Sequence, residues 1–222
     1  MAERTIEDRL REQYFNLLPE LTRVADHLKT QIQYGILPIA RHLKPHENLV
    51  VKARVKACDS AISKLREQTN PSDPLKKRNP GAVFDRNRPE SYNLLSLRDL
   101  VGVRVLAFPS GIANEVHKLL RPNFIDWKFE PIKDGGVRLG SKYNGHYAES
   151  MEGLGCEYQI VSTLIGLFWD IEHAAIYKQA PNLKGLGPVM GDQTSAVYLA
   201  LKAFEAEFER QIEISESSAS AF

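Results

Sequence analysis

The chain has 222 residues, of which 43% are hydrophobic and 26% charged, and its 29 basic residues against 28 acidic ones leave a net charge of +1. These values fit one large globular domain, or one domain with helical appendages, and exclude collagen-like, low-complexity and disulfide-framework chains. The near-neutral balance also means that any polyanion site has to be a local patch. Cys58 and Cys156 lie far apart without metal-ligand spacing and are expected to be buried reduced thiols. No apolar run reaches about 18 residues, and the charged N-terminal stretch lacks the apolar core of a secretory signal, so a cytoplasmic protein without a membrane partner is expected.

From Thr5 to about Ile36, the residues Ile6, Leu10, Leu17, Leu21, Val24, Leu28 and Ile32 recur at three- and four-residue steps and predict an amphipathic helix closed by Gly35 and Pro38. Residues 49–56 alternate and predict a half-exposed strand with basic residues on one face. A helix over about 61–67 follows, capped by Asp59 or Ser60. Residues 70–98 carry Pro71, Pro74, Pro80 and Pro89 among Lys76, Lys77, Arg78, Arg86, Arg88 and Arg98, which predicts an irregular basic loop. Residues 101–108 predict a buried strand and about 113–120 a helix. A strand is expected over 124–130, with Gly135, Gly136, Gly140 and Gly145 marking loops around another near 146–151. Residues 156–161 alternate, with Glu157 and Gln159 on one face, before Ser162 caps a helix to about Lys178. Gly185, Gly187, Pro188 and Gly191 predict a flexible connection to a helix over 194–214.

This order, without internal repeats, predicts an α/β (α+β) fold: a mixed sheet of about five strands flanked by helices, its amphipathic N- and C-terminal helices packing together or on another subunit. The expected division is a helical region over 1–48, a central domain over 49–180, a C-terminal helix over 181–214 and a disordered tail over 215–222.

Phosphoryl-type transfer needs cations for phosphates and carboxylates for a divalent metal. Arg54, Lys56 and Lys64 surround the helix start near Asp59 and Ser60, where backbone N–H groups add to their field, although such residues are also ordinary surface charges. Asp99 stands at the entry of the strand that holds Arg104, and Glu157 lies on a second strand, so the two carboxylates could share one metal ion; capping or solvation also accounts for Asp99. A half-buried Glu157 needs a metal or cationic partner, or acquires the raised pKa useful to a general base. Glu172 and His173 read as a hydrogen-bonded structural pair, and the six histidines include no His-Asp pair of the kind a metal-dependent phosphohydrolase uses.

These segments, in this order, resemble the synthetase domain of the RelA/SpoT family, the pyrophosphokinases that make (p)ppGpp. Residues Glu157 to Lys178 look like the family's E-V-Q-I-R-T followed, after a stretch that includes an aromatic, by E-H and Y-K. Arg54-Val55-Lys56 with Ser60, Ile62 and Lys64 looks like R-I-K-x-x-x-S-I-x-x-K, and Asp99 to Val105 looks like D-I-A-G-I-R-V. The resemblance spans roughly residues 50–178. It implies a nucleotidyltransferase-like fold and a small alarmone synthetase, with synthesis but no hydrolase domain.

Carried over by position, the resemblance assigns Arg54 and Arg104 to the ATP base and phosphates, and Lys56, Ser60 and Lys64 to the phosphates. Asp99 would hold Mg²⁺, and Glu157 would bind Mg²⁺ or activate the acceptor 3′-hydroxyl, which attacks the β-phosphorus of ATP and releases AMP. Gln159 would organise the same pocket. Lys142, Tyr143, Asn144, His146 and Tyr147 would form the acceptor side. There the family's N-G-Y-R-S-L-H faces Asn144-Gly145-His146-Tyr147-Ala148-Glu149-Ser150, so either His146 replaces the base-stacking tyrosine or, with a gap, Tyr143 does. Val161 stands where the family has arginine. The implied substrates are ATP with GDP or GTP, and the long terminal helices are compatible with a homo-oligomer. The altered loop and the basic 76–88 stretch leave room for a tRNA 3′ end or an adenine nucleotide as acceptor. A reading of another class is a nucleotide-binding regulatory protein that has lost catalysis.

Overall fold

A computed structural model describes residues 5–69, 92–134, 136–150, 153–174 and 186–219. Most of the irregular basic loop expected over 70–98, including its 76–88 stretch, and Tyr177 and Lys178 of the motif lie outside the described residues. Helix α1 (Ile6–Gly35) opens on a capping box in which the Thr5 hydroxyl accepts from the Asp8 N–H at 3.1 Å while the Thr5 N–H donates to Asp8 Oδ2 at 3.2 Å. Its buried stripe, Leu10, Leu17, Leu21, Val24, Leu28 and Ile32, is the one the sequence spacing singles out. A short turn, α2 (Leu37–Ala40), carries Pro38 near its start. Then come β1 (Asn48–Val55), α3 (Cys58–Thr69), β2 (Val101–Phe108), α4 (Ser110–Leu120), β3 (Lys128–Asp134), β4 (Val137–His146), β5 (Gly155–Ser162), α5 (Thr163–Glu172) and α6 (Leu186–Ala219).

The strands form one mixed sheet in the order β1-β2-β5-β4-β3, with β2 and β5 parallel and the other pairs antiparallel. Because successive side chains point to opposite faces, each strand contributes one set to each side. Val101, Val103, Val105, Cys156, Tyr158 and Ile160 join α1 and Val116 and Leu120 of α4 in the main core. The opposite face carries Lys52, Arg54, Arg104, Glu157, Gln159, Lys142 and Asn144, and β1 is exposed at every second residue there. Helix α5 covers part of this polar face, where a small second core forms from Leu139, Ile165 and Tyr198 with Phe168 and Leu201. No helix among the described residues is long and apolar enough to cross a membrane.

Several boundaries differ from the sequence reading. The strand expected near 146–151 lies at Val137–His146 instead. Gly140 and Gly145 sit inside it as points of close approach: a Cβ would come within 2.5 Å of the Ile160 carbonyl oxygen at the first and within 2.5 Å of the Trp127 ring at the second. The strand placed at 124–130 begins only at Lys128, after a 3₁₀ turn over Arg121–Phe124. Asp59 and Ser60 do not cap α3 but lie in its first turn, with the Ala61 N–H donating to the Ala57 carbonyl at 2.9 Å and Asp59 paired with Arg11 at 2.7 Å. The glycines at 187 and 191 are already helical, and α6 continues through Ala219, so the tail expected to be disordered from Ser215 is helical over its described part. Of the two thiols, Cys156 is buried as expected and Cys58 only half-buried.

Candidate active site

The strand register sets the polar face out in rows. Arg54, Gly102, Glu157 and Asn144 lie side by side across β1, β2, β5 and β4, and Lys52, Arg104, Gln159 and Lys142 form the next row. Gly102 leaves its position bare, so the Arg54 side chain lies across it, 3.2 Å from where a Cβ would stand. A cleft of about 180 Å³ opens here, lined by Lys52, Arg54, Gly102, Arg104, Glu157, Gln159 and Asp170 among others.

A continuous hydrogen-bond chain fixes these groups. Arg104 Nη1 donates to Asp170 Oδ1 at 2.6 Å and Arg104 Nε to Gln159 Oε1 at 3.1 Å. Gln159 Nε2 then donates to Glu157 Oε1 at 2.5 Å, and Arg54 Nη2 stands 4.0 Å from that oxygen. A glutamine suits the middle position because it offers one acceptor and one donor group at the same end. The Arg104 guanidinium also stacks over Trp169 of α5, 5.0 Å from the ring centre.

At the mouth of the same end, three elements meet at Asp99. Lys56, just after β1, reaches its Oδ2 at 3.0 Å, and Lys64 of α3 reaches the same oxygen at 2.5 Å. Burial pushes the Asp99 carboxyl up, but Lys64 and Lys56 outweigh it and hold it below the ordinary aspartate range. Lys56 itself is pulled down by burial, only partly offset by Asp99. Glu157 behaves in the opposite way. Burial, reinforced by the Asp99 charge, raises it above the ordinary glutamate range against the pull of Lys142, Arg54 and Lys64.

The predicted residues therefore divide. Arg54, Arg104, Glu157 and Gln159 share one cleft, with Lys56, Lys64 and Asp99 beside it. Ser60 sits one turn before Lys64 on α3. Lys142 reaches Glu130 at 3.0 Å, and Asn144 faces Glu157 across the sheet. Tyr143 does not belong to this group. It is buried on the core face, stacked on Tyr158 at 4.5 Å and hydrogen-bonded to His117, so it cannot present its ring to a base on the polar face. Tyr147 packs against the main core, and His146 ends β4 with Nδ1 3.0 Å from the Leu154 carbonyl oxygen; both line a separate cavity with Trp127. Glu172, expected to pair with His173, is buried and accepts from the Tyr198 hydroxyl. Sequence reasoning missed Trp169 and Asp170, and an aromatic-acidic pair on the helix after β5 was the signal available for them.

No group of three or more His, Cys, Asp or Glu side chains able to hold a metal occurs among the described residues. A magnesium ion needs less, because it is commonly held by one or two carboxylates together with substrate phosphates. Asp99 Oδ1 is buried without a hydrogen-bond partner among the described residues, and Glu157 lies within its field, so the donor set fits such an ion.

No family model matches the chain, and no curated protein matches its sequence. Solved structures do match it. The small alarmone synthetase 1 of Bacillus subtilis bound to its product pppGpp superposes with a TM-score of 0.61 at 16% identity, over 92% of this chain and 99% of that one. The same enzyme bound to AMPCPP gives 0.57 at 16%, over 91% and 98%. A GTP pyrophosphokinase family protein of Streptococcus pneumoniae gives 0.57 at 17%, over 91% and 95%. From its terminal helices to its five-stranded mixed sheet, the chain has the fold of the small alarmone synthetases.

Proposed function

We propose that the protein is a pyrophosphotransferase that moves the β,γ-pyrophosphate of ATP to the 3′-hydroxyl of GDP or GTP and releases AMP. The observation that carries this reading is the meeting of Glu157, a carboxylate raised by burial, with two arginines in one cleft, beside which Asp99 is held by two lysines. Similarity to synthetases solved with AMPCPP and with pppGpp supports it.

In this reading Arg54 and Arg104 hold the donor nucleotide, while Lys56, Lys64 and Ser60 face its phosphates. Glu157 takes the proton from the acceptor 3′-hydroxyl, which is what a carboxylate of raised pKa does well near neutral pH. The new bond forms between the 3′-oxygen and the β-phosphorus. The bond from that phosphorus to the oxygen bridging it to the α-phosphorus breaks, and AMP leaves with that oxygen. Asp99 would hold Mg²⁺, which neutralises phosphate charge when bound. Lys142 and Asn144 extend the cleft toward the acceptor. With Tyr143 turned into the core, β4 offers the acceptor these polar groups in place of a tyrosine ring.

The test is incubation with ATP labelled at the β-phosphate and Mg²⁺, offering GDP, GTP, ATP and deacylated tRNA in separate reactions. Label transfer to a guanine nucleotide is expected. Transfer only to tRNA or to an adenine nucleotide would keep the chemistry and replace the acceptor, and ATP binding without any transfer would leave a regulatory nucleotide-binding protein.

A further inference from the structure

We propose that Asp170 is a positioning residue for the donor nucleotide, acting by holding the Arg104 guanidinium over the Trp169 ring. This rests on the reading of the cleft as a donor site. The arginine is constrained from three directions: Gln159 takes Nε at 3.1 Å, Asp170 takes Nη1 at 2.6 Å, and the indole lies 5.0 Å away. Arg104, Gln159 and Asp170 line the cleft, whereas Trp169 is not among the lining residues. The indole therefore backs the guanidinium from outside. With one face covered and two in-plane donors engaged, the side chain offers the cleft a flat cationic plate, suited to the π-face of a purine ring.

The helix that supplies these partners is placed by packing. Gly166 of α5 lies so close to β2 that a Cβ there would stand 2.4 Å from Leu106 Cδ2. Leu106 and Arg104 are two residues apart on the same strand face, and Trp169 and Asp170 lie one turn along α5 from Gly166. Close helix-to-strand packing thus delivers both side chains to the arginine. The Asp170 side chain is 54% exposed, against 16% for that of Arg104. An exposed carboxylate adds little to stability through its ion pair, so its contribution here is the orientation of a partner that faces the cleft.

The opposite view makes Asp170 a stand-in for a phosphate, neutralising Arg104 until ATP displaces it. Both views can be separated by titrating the wild-type protein, Asp170→Ala and Asp170→Asn with a non-hydrolysable ATP analogue by calorimetry, alongside kinetics with ATP varied. Orientation predicts that Asp170→Ala binds the analogue about tenfold more weakly, the scale of freeing one ordered side chain. The KM for ATP should rise similarly, while kcat and the acceptor KM stay within about twofold of wild type. Asp170→Asn should bind the analogue within about threefold of wild type, because its carbonyl still accepts from Arg104. Unchanged or tighter binding by Asp170→Ala would overturn the proposal, as would Asp170→Asn falling as far as Asp170→Ala. Melting temperatures equal to wild type are expected for both variants and separate orientation from folding. A wild-type protein that binds the analogue but transfers nothing would remove the functional reading while the binding comparison still decides Asp170, and one that binds no analogue would overturn both.

Discussion

Gln159 is the pivot of the site at the residue scale, since its carbonyl faces Arg104 and its amide faces Glu157. Through it Glu157, the proposed general base, is tied to Arg104, the proposed donor-binding arginine. Replacing Glu157 with Gln is predicted to lower kcat by about 10²- to 10⁴-fold in the label-transfer assay, the usual range for loss of a general base. The melting temperature should not fall, because burial already disfavours the charge that is removed. The raised pKa sets the pH profile: transfer is expected to decline on the acid side as Glu157 takes up a proton, with an inflection above the ordinary glutamate range. Asp99 has the opposite sign. A carboxyl held below its unfolded value contributes stability that is present above that value and lost as the pH falls through the folded one. Asp99→Asn should therefore destabilise the protein at neutral pH by about 2 kcal/mol, as Lys56 loses its charged partner, and flatten the acid limb of a denaturation series.

Glu157 was legible in the sequence because its apolar neighbours enforce burial, whereas Asp99, at the entry of β2, read equally well as a cap or a solvated strand end. The contact of the two lysines with Asp99 was not legible, since Lys56 and Lys64 lie before the 70–91 stretch and Asp99 after it. Tyr143 marks a different limit. Alternation along β4 puts it on the face opposite Lys142 and Asn144, but the strand had first to be recognised.

That recognition failed for a physical reason that belongs to the element scale. Gly140 and Gly145 read as loop markers, yet in β4 each makes room for a neighbour, the Ile160 carbonyl with Val161 at one and the Trp127 ring at the other. Gly140→Ala is predicted to destabilise the protein by about 1–3 kcal/mol, the cost of overpacking against an atom that cannot swing away, measurable as a lower midpoint in urea. Glycine and proline likewise masked the start of α6, although both are tolerated in a first helical turn. The steps of α1, whose glycine stands only at its end, and of β2, where Gly102 lies inside a valine-rich run, read through correctly.

Helix α6 also carries a buried acid outside the site. Glu205 is 1% exposed, its Oε1 has no hydrogen-bond partner among the described residues, and burial pushes its carboxyl up, with Ser162 opposing and Glu209 adding to the shift. A carboxyl raised on folding contributes stability below its unfolded pKa that is lost as the pH rises through the folded value. Glu205→Gln should therefore stabilise the protein at neutral pH, on the order of 1 kcal/mol, and the gain should vanish in acid; thermal melts across pH would check both parts.

Over the whole molecule, the two ends of the sheet have separate tasks. Along one end α6 runs past β3, β4 and β2: Ser195 meets Asp134 at 2.8 Å, Lys202 the Arg138 carbonyl at 2.6 Å, Phe208 packs on Phe108, and Glu216 pairs with Lys44 ahead of β1 at 2.5 Å. At the other end Asp99, Lys56 and Lys64 gather beside the cleft. The sequence order of helices and strands anticipated a mixed five-stranded sheet. It did not reveal that the terminal helices serve different sides, α1 the main core and α6 the strand ends, because both are amphipathic and neither pattern names its partner.

The central claim is transfer of a pyrophosphoryl group, not a single phosphoryl group. The most direct measurement is the nucleotide left behind when the protein turns over ATP labelled at the β-phosphate with GDP or GTP and Mg²⁺. One AMP for each label found on the guanine nucleotide is the predicted result. ADP as the product, or no label on any acceptor while ATP is bound, would contradict the account.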